Sequence, residues 1–110
     1  MAADPACELC QAAHVSEWFY EDDVCWVAEC ESCRVPMVVW KIHDPAPTDD
    51  VKAQLHARLG AVVADQYVDE HGGSSHIVDD VLRTIPAHYH AHARGRRGLL
   101  GPGLRRRRRP

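Results

Sequence analysis

Long hydrophobic runs are absent from this sequence. No stretch of 18 or more consecutive apolar residues occurs, although hydrophobic residues fill 45% of the 110 positions. A membrane-spanning helix needs about 20 such residues, so we expect none. The N-terminal segment MAADPACELC has neither a basic start nor an apolar stretch, and so does not resemble a secretory signal. We therefore expect a single domain with a cytoplasmic location and no membrane contact.

Positive charge is scarce over most of the chain. All sixteen acidic residues lie before residue 93, against only five basic ones, so this part has a formal charge of −11. Such an acidic body argues against a nucleic-acid-binding surface. The other eight basic residues are arginines at position 94 and beyond. Residues 1–94 are the predicted domain. The Arg-, Gly- and Pro-rich residues 95–110 are expected to be disordered, with at most non-specific nucleic-acid contacts.

Cysteine occurs an odd number of times, which argues against a framework of disulfide bonds in a chain without a secretory signal. Four of the five cysteines form two Cys-x-x-Cys pairs, CELC at residues 7–10 and CESC at residues 30–33. In a reducing compartment this spacing indicates metal binding or thiol redox chemistry. Cys25 lies inside a predicted strand and is interpreted as a small buried hydrophobe.

Short aromatic and β-branched segments predict several strands. Residues 16–30 predict two strands around an acidic turn, because aromatic and β-branched residues flank Glu21-Asp22-Asp23. The nearly continuous apolar segment 35–43 predicts a central strand that is buried on both faces. A last strand is expected after Pro86.

One main helix is predicted between the central and last strands. Apolar residues recur at helical spacing from position 51 to position 67. Thr48 or Asp49 can cap the start of this helix, and Gly72 with Gly73 should end it. Together these elements predict an α+β fold.

The segment HYHAHAR, residues 88–94, carries three alternating histidines. In a strand, His88, His90 and His92 share one face and the residues between them point to the other, which we assign to the core. Three imidazoles on one face suit metal binding, or proton and phosphoryl chemistry near neutral pH. A solvated, histidine-rich edge strand is the alternative.

Cys7 and Cys10 can hold one zinc ion together with two further ligands. Cys30 and Cys33 would complete a four-cysteine, ribbon-like site, which spacing alone favours. His43, at the end of the central strand, and His88 would complete a mixed site instead.

Several segments in order resemble the histidine-triad (HIT) family of nucleotide hydrolases and transferases. They are CELC, YEDDVCWVAE, VPMVVWKIH, a helix and HYHAHAR, and together they cover about residues 7–94. The family pattern opens with Cys-x-x-Cys in its zinc-bearing members and closes on three alternating histidines. Its central strand ends in Pro-Lys-x-His, where this chain has Trp40-Lys41-Ile42-His43.

The resemblance implies an α+β fold with an antiparallel sheet and one main helix, and it implies a role for each matching residue. A structural Zn²⁺ would be held by Cys7, Cys10, His43 and His88. His90 would be the nucleophile that attacks the α-phosphorus of a nucleotide, and His92 would position the phosphate and assist proton transfer. Glu29 stands where the family often binds the ribose. A homodimer is also implied, since HIT proteins commonly form one.

The segment before the triad departs from the family pattern. The family carries Asn-x-Gly and then Gly-Gln-Ser/Thr there, whereas this chain has VDDVLRTIPAH. Asp79 and Asp80 would repel a phosphate, and only Arg83 and Thr84 are candidate phosphate contacts. The alternative function is therefore a catalytically inactive, zinc-stabilised binding or scaffold domain.

Overall fold

The protein is described here from a computed structural model. It describes residues 7–11, 16–30, 34–69, 71–82, 85–95 and 103–107. Two helices and seven strands occur in these residues: α1 Glu8–Gln11, β1 Trp18–Glu21, β2 Cys25–Glu29, β3 Pro36–Trp40, α2 Asp49–Gln66, β4 Tyr67–Val68, β5 Ile77–Asp79, β6 His90–Arg94 and β7 Arg105–Arg106. Neither helix is long and apolar enough to cross a bilayer.

Five strands form an antiparallel sheet in the order β1-β2-β3-β6-β5. A second sheet pairs β4 with β7. The predicted α+β class, with an antiparallel sheet and one main helix, is confirmed. β3 is central as predicted, and Val38 and Val39, which point to opposite faces, are both fully buried. Pro36 stands at the first position of β3, where a missing backbone N–H is tolerated.

The helix α2 begins where predicted but ends earlier. The Thr48 hydroxyl accepts a hydrogen bond from the Val51 backbone N–H at 3.3 Å, which caps the first turn. We expected the helix to continue to Gly72, but it ends at Gln66 because Tyr67 turns into the extended conformation of β4. Tyr67 is fully buried there. Packing of one aromatic side chain has therefore overridden the glycine stop signal.

Two apolar clusters cover the two faces of the main sheet. One lies between the sheet and the buried side of α2, which carries Leu55, Leu59, Val62 and Val63. This cluster also contains Tyr89, Ala91 and Ala93, so the predicted alternation along the last strand is confirmed. The other cluster packs the N-terminal turn against the opposite face through Cys7, Leu9, Trp26, Ala28 and Val39.

The acidic turn between β1 and β2 is organised by Asp22. Its carboxylate accepts hydrogen bonds from the Tyr20 hydroxyl, from the backbone N–H groups of Val24 and Cys25, and from Arg58 at 3.1 Å. Burial is the largest single influence and raises the pKa of Asp22, but these hydrogen bonds together outweigh it. The net pKa lies well below its usual value.

Asp22→Asn should lower the free energy of unfolding at pH 7 by about 1–2 kcal/mol, because both carboxylate oxygens accept hydrogen bonds and an amide keeps only one, uncharged acceptor. The charged carboxylate contributes stability above the unfolded-state pKa of about 3.9, and this contribution is lost as the pH falls toward the lower folded-state pKa. Denaturant unfolding between pH 3 and pH 7 should therefore show a flatter profile for Asp22→Asn than for the wild type. The exposed neighbour supplies the control: Asp23→Asn should keep the wild-type slope.

Part of the C-terminal segment that we expected to be disordered lies among the described residues. Residues 103–107 are described, and they include β7. Leu104 is 8% exposed and belongs to the cluster under α2. The arginine-rich segment therefore contains one apolar residue that packs in the core. The expected domain boundary after residue 94 stays a prediction.

Candidate functional site

Four potential metal ligands meet at one end of the main sheet. Cys7 and Cys10 lie in the N-terminal turn that contains α1, His43 lies three residues after β3, and His88 lies two residues before β6. Because β3 and β6 are antiparallel neighbours, the end of one strand adjoins the start of the other. The fold therefore brings together residues that are up to 81 positions apart in the chain.

The distances between the ligand atoms suit a tetrahedral metal ion. The Nδ1 atoms of His43 and His88 are 3.3 Å apart. Cys10 Sγ lies 3.2 Å from His43 Nδ1 and 3.4 Å from His88 Nδ1, and Cys7 Sγ lies 3.5 Å from His88 Nδ1. A regular zinc tetrahedron has edges of about 3.3 Å between two nitrogens and about 3.6 Å between nitrogen and sulfur. These four residues could hold a metal ion, and the set is compatible with zinc.

His88 is oriented for ligation by its second ring nitrogen. Its Nε2 lies 2.6 Å from the Trp40 carbonyl oxygen, which can only accept a hydrogen bond. Nε2 therefore carries the proton, and the lone pair of Nδ1 points toward the cysteines. His88 is 1% exposed, and this burial lowers its pKa and favours the neutral, ligating form.

Cys30 does not belong to the cluster. It follows β2 at the end of the strand that lies away from His43 and His88. Its N–H donates to the Val35 carbonyl at 2.8 Å, which closes the loop before β3. Within the described residues the geometry therefore favours the mixed cysteine–histidine site, whereas Cys33 lies outside them.

His90 is a buried imidazole with a defined orientation. Its Nδ1 lies 2.9 Å from the His88 carbonyl oxygen, so Nδ1 carries the proton and Nε2 carries the lone pair. His90 is 4% exposed, and burial lowers its pKa, which favours the neutral ring at pH 7. A neutral imidazole with one nitrogen oriented and the other available as a lone pair suits nucleophilic or general-base chemistry.

His92 and two charged residues continue the same face of the sheet. The ring of His92 lies edge-on to that of His90, with 5.7 Å between centroids. Asp79 is the cross-strand partner of His92 and accepts a hydrogen bond from Arg94 at 2.8 Å. The structure thus brings His90 and His92 together, with an arginine–aspartate pair beside them.

A partly buried hydrogen-bond network on the helix face was missed by sequence reasoning. The Tyr89 hydroxyl donates to Asp80 at 2.9 Å and lies 2.8 Å from His56 Nε2. His56 belongs to no sequence motif, but α2 places it beside the buried Tyr89. Its position next to Leu55, on the apolar side of the helix, is the signal that could have indicated this.

Of the three predicted nucleotide contacts, only Glu29 lies among the described residues, and it is not on the face of His90. Cross-strand partners share a face, so Trp26, Val39 and His90 lie on the side away from α2. Glu29 alternates with Trp26 and Ala28 and faces the other side, where it contacts Arg106 at 3.8 Å. Arg83 and Thr84 lie outside the described residues.

Comparisons with known proteins leave this site without a counterpart. No family model, curated protein or solved structure matches the chain.

Proposed function

We propose that the metal is a structural Zn²⁺ held by Cys7, Cys10, His43 and His88. Two thiolates and two neutral imidazoles suit zinc, and four protein ligands close the site to substrate. The nitrogen and sulfur separations support this assignment, as does the hydrogen bond that His88 Nε2 donates to the Trp40 carbonyl. The ion would join the N-terminal turn to the ends of β3 and β6.

We further propose that the protein is a HIT-like nucleotide phosphohydrolase or nucleotidyl transferase that acts through His90. The observation that carries this proposal is the hydrogen bond from His90 Nδ1 to the His88 carbonyl, at 2.9 Å. It leaves Nε2 with the lone pair that a nucleophile requires.

The proposed reaction has two steps. Nε2 of His90 attacks the α-phosphorus, a P–N bond forms, and the bond from phosphorus to the leaving group breaks. His92 supplies the proton that the departing group takes. Water then attacks the phosphorus and gives a proton to His92, the P–N bond breaks, and the nucleoside monophosphate leaves with both histidines restored. In nucleotidyl transfer another acceptor replaces the water.

His88 connects the two parts of the proposal. Its ring faces the metal cluster, and its backbone carbonyl orients His90. A metal ion that fixes His88 therefore fixes the acceptor that sets the His90 tautomer. In this arrangement the zinc acts through structure and takes no part in the two steps.

Turnover of adenosine phosphoramidate tests the proposal. His90→Ala should reduce kcat/KM at least about 1000-fold, because no covalent intermediate can form. His92→Ala should reduce it by about 100-fold or more through lost proton transfer. The exposed loop variant His71→Ala is the control and should retain activity. Each variant should keep its zinc, which separates chemistry from folding.

A non-catalytic binding domain is the second candidate. It is favoured by the 2.8 Å pairing of Arg94 with Asp79, because this aspartate neutralises a cation that stands beside the histidines. Failure of the zinc-loaded protein to turn over adenosine phosphoramidate or a dinucleoside polyphosphate would support this candidate and contradict catalysis by His90.

A further inference from the structure

The side chain of Arg106 lies in a cradle on the main sheet. Its guanidinium carbon is 4.8 Å from the ring centre of Phe19 and 5.7 Å from that of Tyr67. Its terminal nitrogen lies 3.1 Å from a carboxylate oxygen of Glu17 and 3.8 Å from one of Glu29. Two aromatic rings and two carboxylates thus surround one cation, a combination that suits a planar guanidinium.

The cradle is partly removed from water, because its Glu29 and Tyr67 side lies under the surface whereas the Glu17 side chain is 56% exposed. Tyr67 is fully buried, and the side chains of Glu29 and Arg106 are 17% and 33% exposed. Such burial strengthens both the cation–π contacts and the ion pairs relative to an open surface. Burial also raises the pKa of Tyr67, so its phenol is neutral and only the two glutamates balance the charge of Arg106.

Main-chain hydrogen bonds also fix the backbone around Arg106. β7 pairs with β4, and the Arg107 N–H donates to the Gln66 carbonyl at 2.8 Å. The Arg107 side chain donates to the Ala64 carbonyl at 3.2 Å, near the C-terminal end of α2. This is strand addition, in which main-chain pairing is combined with a pocket for a side chain.

Leu104 determines which arginine enters the cradle. The tail contains five consecutive arginines, so charge alone does not distinguish one register from the next. A shift of one residue would reverse the faces of the strand and withdraw Leu104 from its buried position. A shift of two would place another arginine in the cradle and also displace Leu104. The leucine therefore selects Arg106.

We propose that Glu17, Phe19, Glu29 and Tyr67 form an arginine-specific peptide-binding site, occupied by this chain's own segment Leu104–Arg107. The ligand class is an extended peptide with an arginine two residues after an apolar residue. The site lies on the face of the sheet away from His90, and its binding is independent of the nucleotide chemistry proposed above.

Peptide binding in trans tests the specificity of the site. The probe is a fluorescent peptide with the sequence of residues 103–110, GLRRRRRP, and the charge-matched control is GLRKRRRP. In the wild type the attached tail competes at high effective concentration, so the full-length variant Arg106→Ala is used to open the cradle. Fluorescence anisotropy should show that this variant binds the arginine peptide at least about fivefold more tightly than the lysine peptide.

Removing the carboxylates should abolish that preference. The triple variant Arg106→Ala, Glu17→Gln, Glu29→Gln should bind the two peptides equally. Arg105→Ala leaves the cradle filled and should bind neither peptide more tightly than the wild type does. Equal binding of both peptides by Arg106→Ala would overturn the proposal, because it would reduce the contact to general attraction between a cationic peptide and an acidic protein.

Trypsin tests the docked tail in the full chain without altering a cleavage site. Glu17→Gln with Glu29→Gln should accelerate cleavage after residues 105–107 at least about fivefold, since the segment must detach before it is cut. Glu21→Gln removes a carboxylate that pairs with Lys41 on the surface and should leave the rate unchanged. An unchanged rate in the double variant would contradict the proposed docking.

Discussion

Replacing His43 with alanine is expected to reduce the zinc content from about one ion per chain to nearly none. His43 supplies one of four ligand atoms that lie within 4.8 Å of one another. Three ligands would then have to hold the ion in a site built for four, with water in the last position. Metal analysis of protein purified by gel filtration in metal-free buffer measures the result.

Cys30→Ser is the matched control. Cys30 belongs to a Cys-x-x-Cys pair but lies at the other end of β2 from the cluster, so its loss should leave the zinc content at about one. The opposite result, with zinc lost from Cys30→Ser and retained in His43→Ala, would replace the mixed site with the four-cysteine ribbon.

The His43→Ala variant should also lose much of its thermal stability. Structural zinc contributes binding free energies on the order of 10 kcal/mol in small domains, and this free energy is coupled to folding. His43→Ala should therefore melt far below the zinc-loaded wild type, and a strong chelator should lower the wild-type melting temperature toward that of the variant. Equal melting temperatures with and without chelator would show that the metal does not stabilise the fold.

Leu59→Ala is expected to lower the free energy of unfolding by about 2–5 kcal/mol. Leu59 is fully buried where α2 packs on the sheet, so truncation leaves a cavity between two layers that cannot easily close. In a domain of this size the melting temperature should fall by roughly 10 to 30 °C. Differential scanning calorimetry or circular dichroism measures the change.

Gln54→Ala on the same helix provides the comparison. Gln54 is exposed, so its replacement should change the free energy of unfolding by no more than about 0.5 kcal/mol. Comparable losses in the two variants would mean that the buried face of α2 is not the one described.

The last strand shows what local patterning can predict. Alternation alone assigned Tyr89, Ala91 and Ala93 to the core, and all three pack under α2. The helix was likewise predicted by apolar spacing and by the cap at Thr48. These predictions succeed because each depends on residues within a few positions of one another, where the geometry of a helix or strand fixes direction.

The spacing of cysteines in the sequence does not contain enough information to identify the residues of the metal site. Spacing alone favoured the second Cys-x-x-Cys pair, whereas the cluster forms because β3 and β6 are neighbours in the sheet. The resemblance identified His43 and His88 as ligands. The structure shows that these two histidines, together with Cys7 and Cys10, could hold an ion. Membership of the HIT family stays a prediction.

Long-range packing also explains what was missed. The early end of α2 and the ordered segment around Leu104 both depend on Tyr67, which pairs with Arg106 across 39 positions of the chain. No local pattern around Tyr67 indicates a partner in an arginine run. Tertiary contacts therefore determine where α2 ends and where β7 forms, although local propensity and composition predict otherwise.

The contacts of His88 explain why no other common zinc ligand could replace it. A cysteine at this position could still offer a thiolate to the ion, but it has no second polar atom to donate to the Trp40 carbonyl. An aspartate would offer only further acceptors, which that carbonyl oxygen would repel. Imidazole alone presents a lone pair on one side and a donor on the other, so the two demands together restrict this position to histidine.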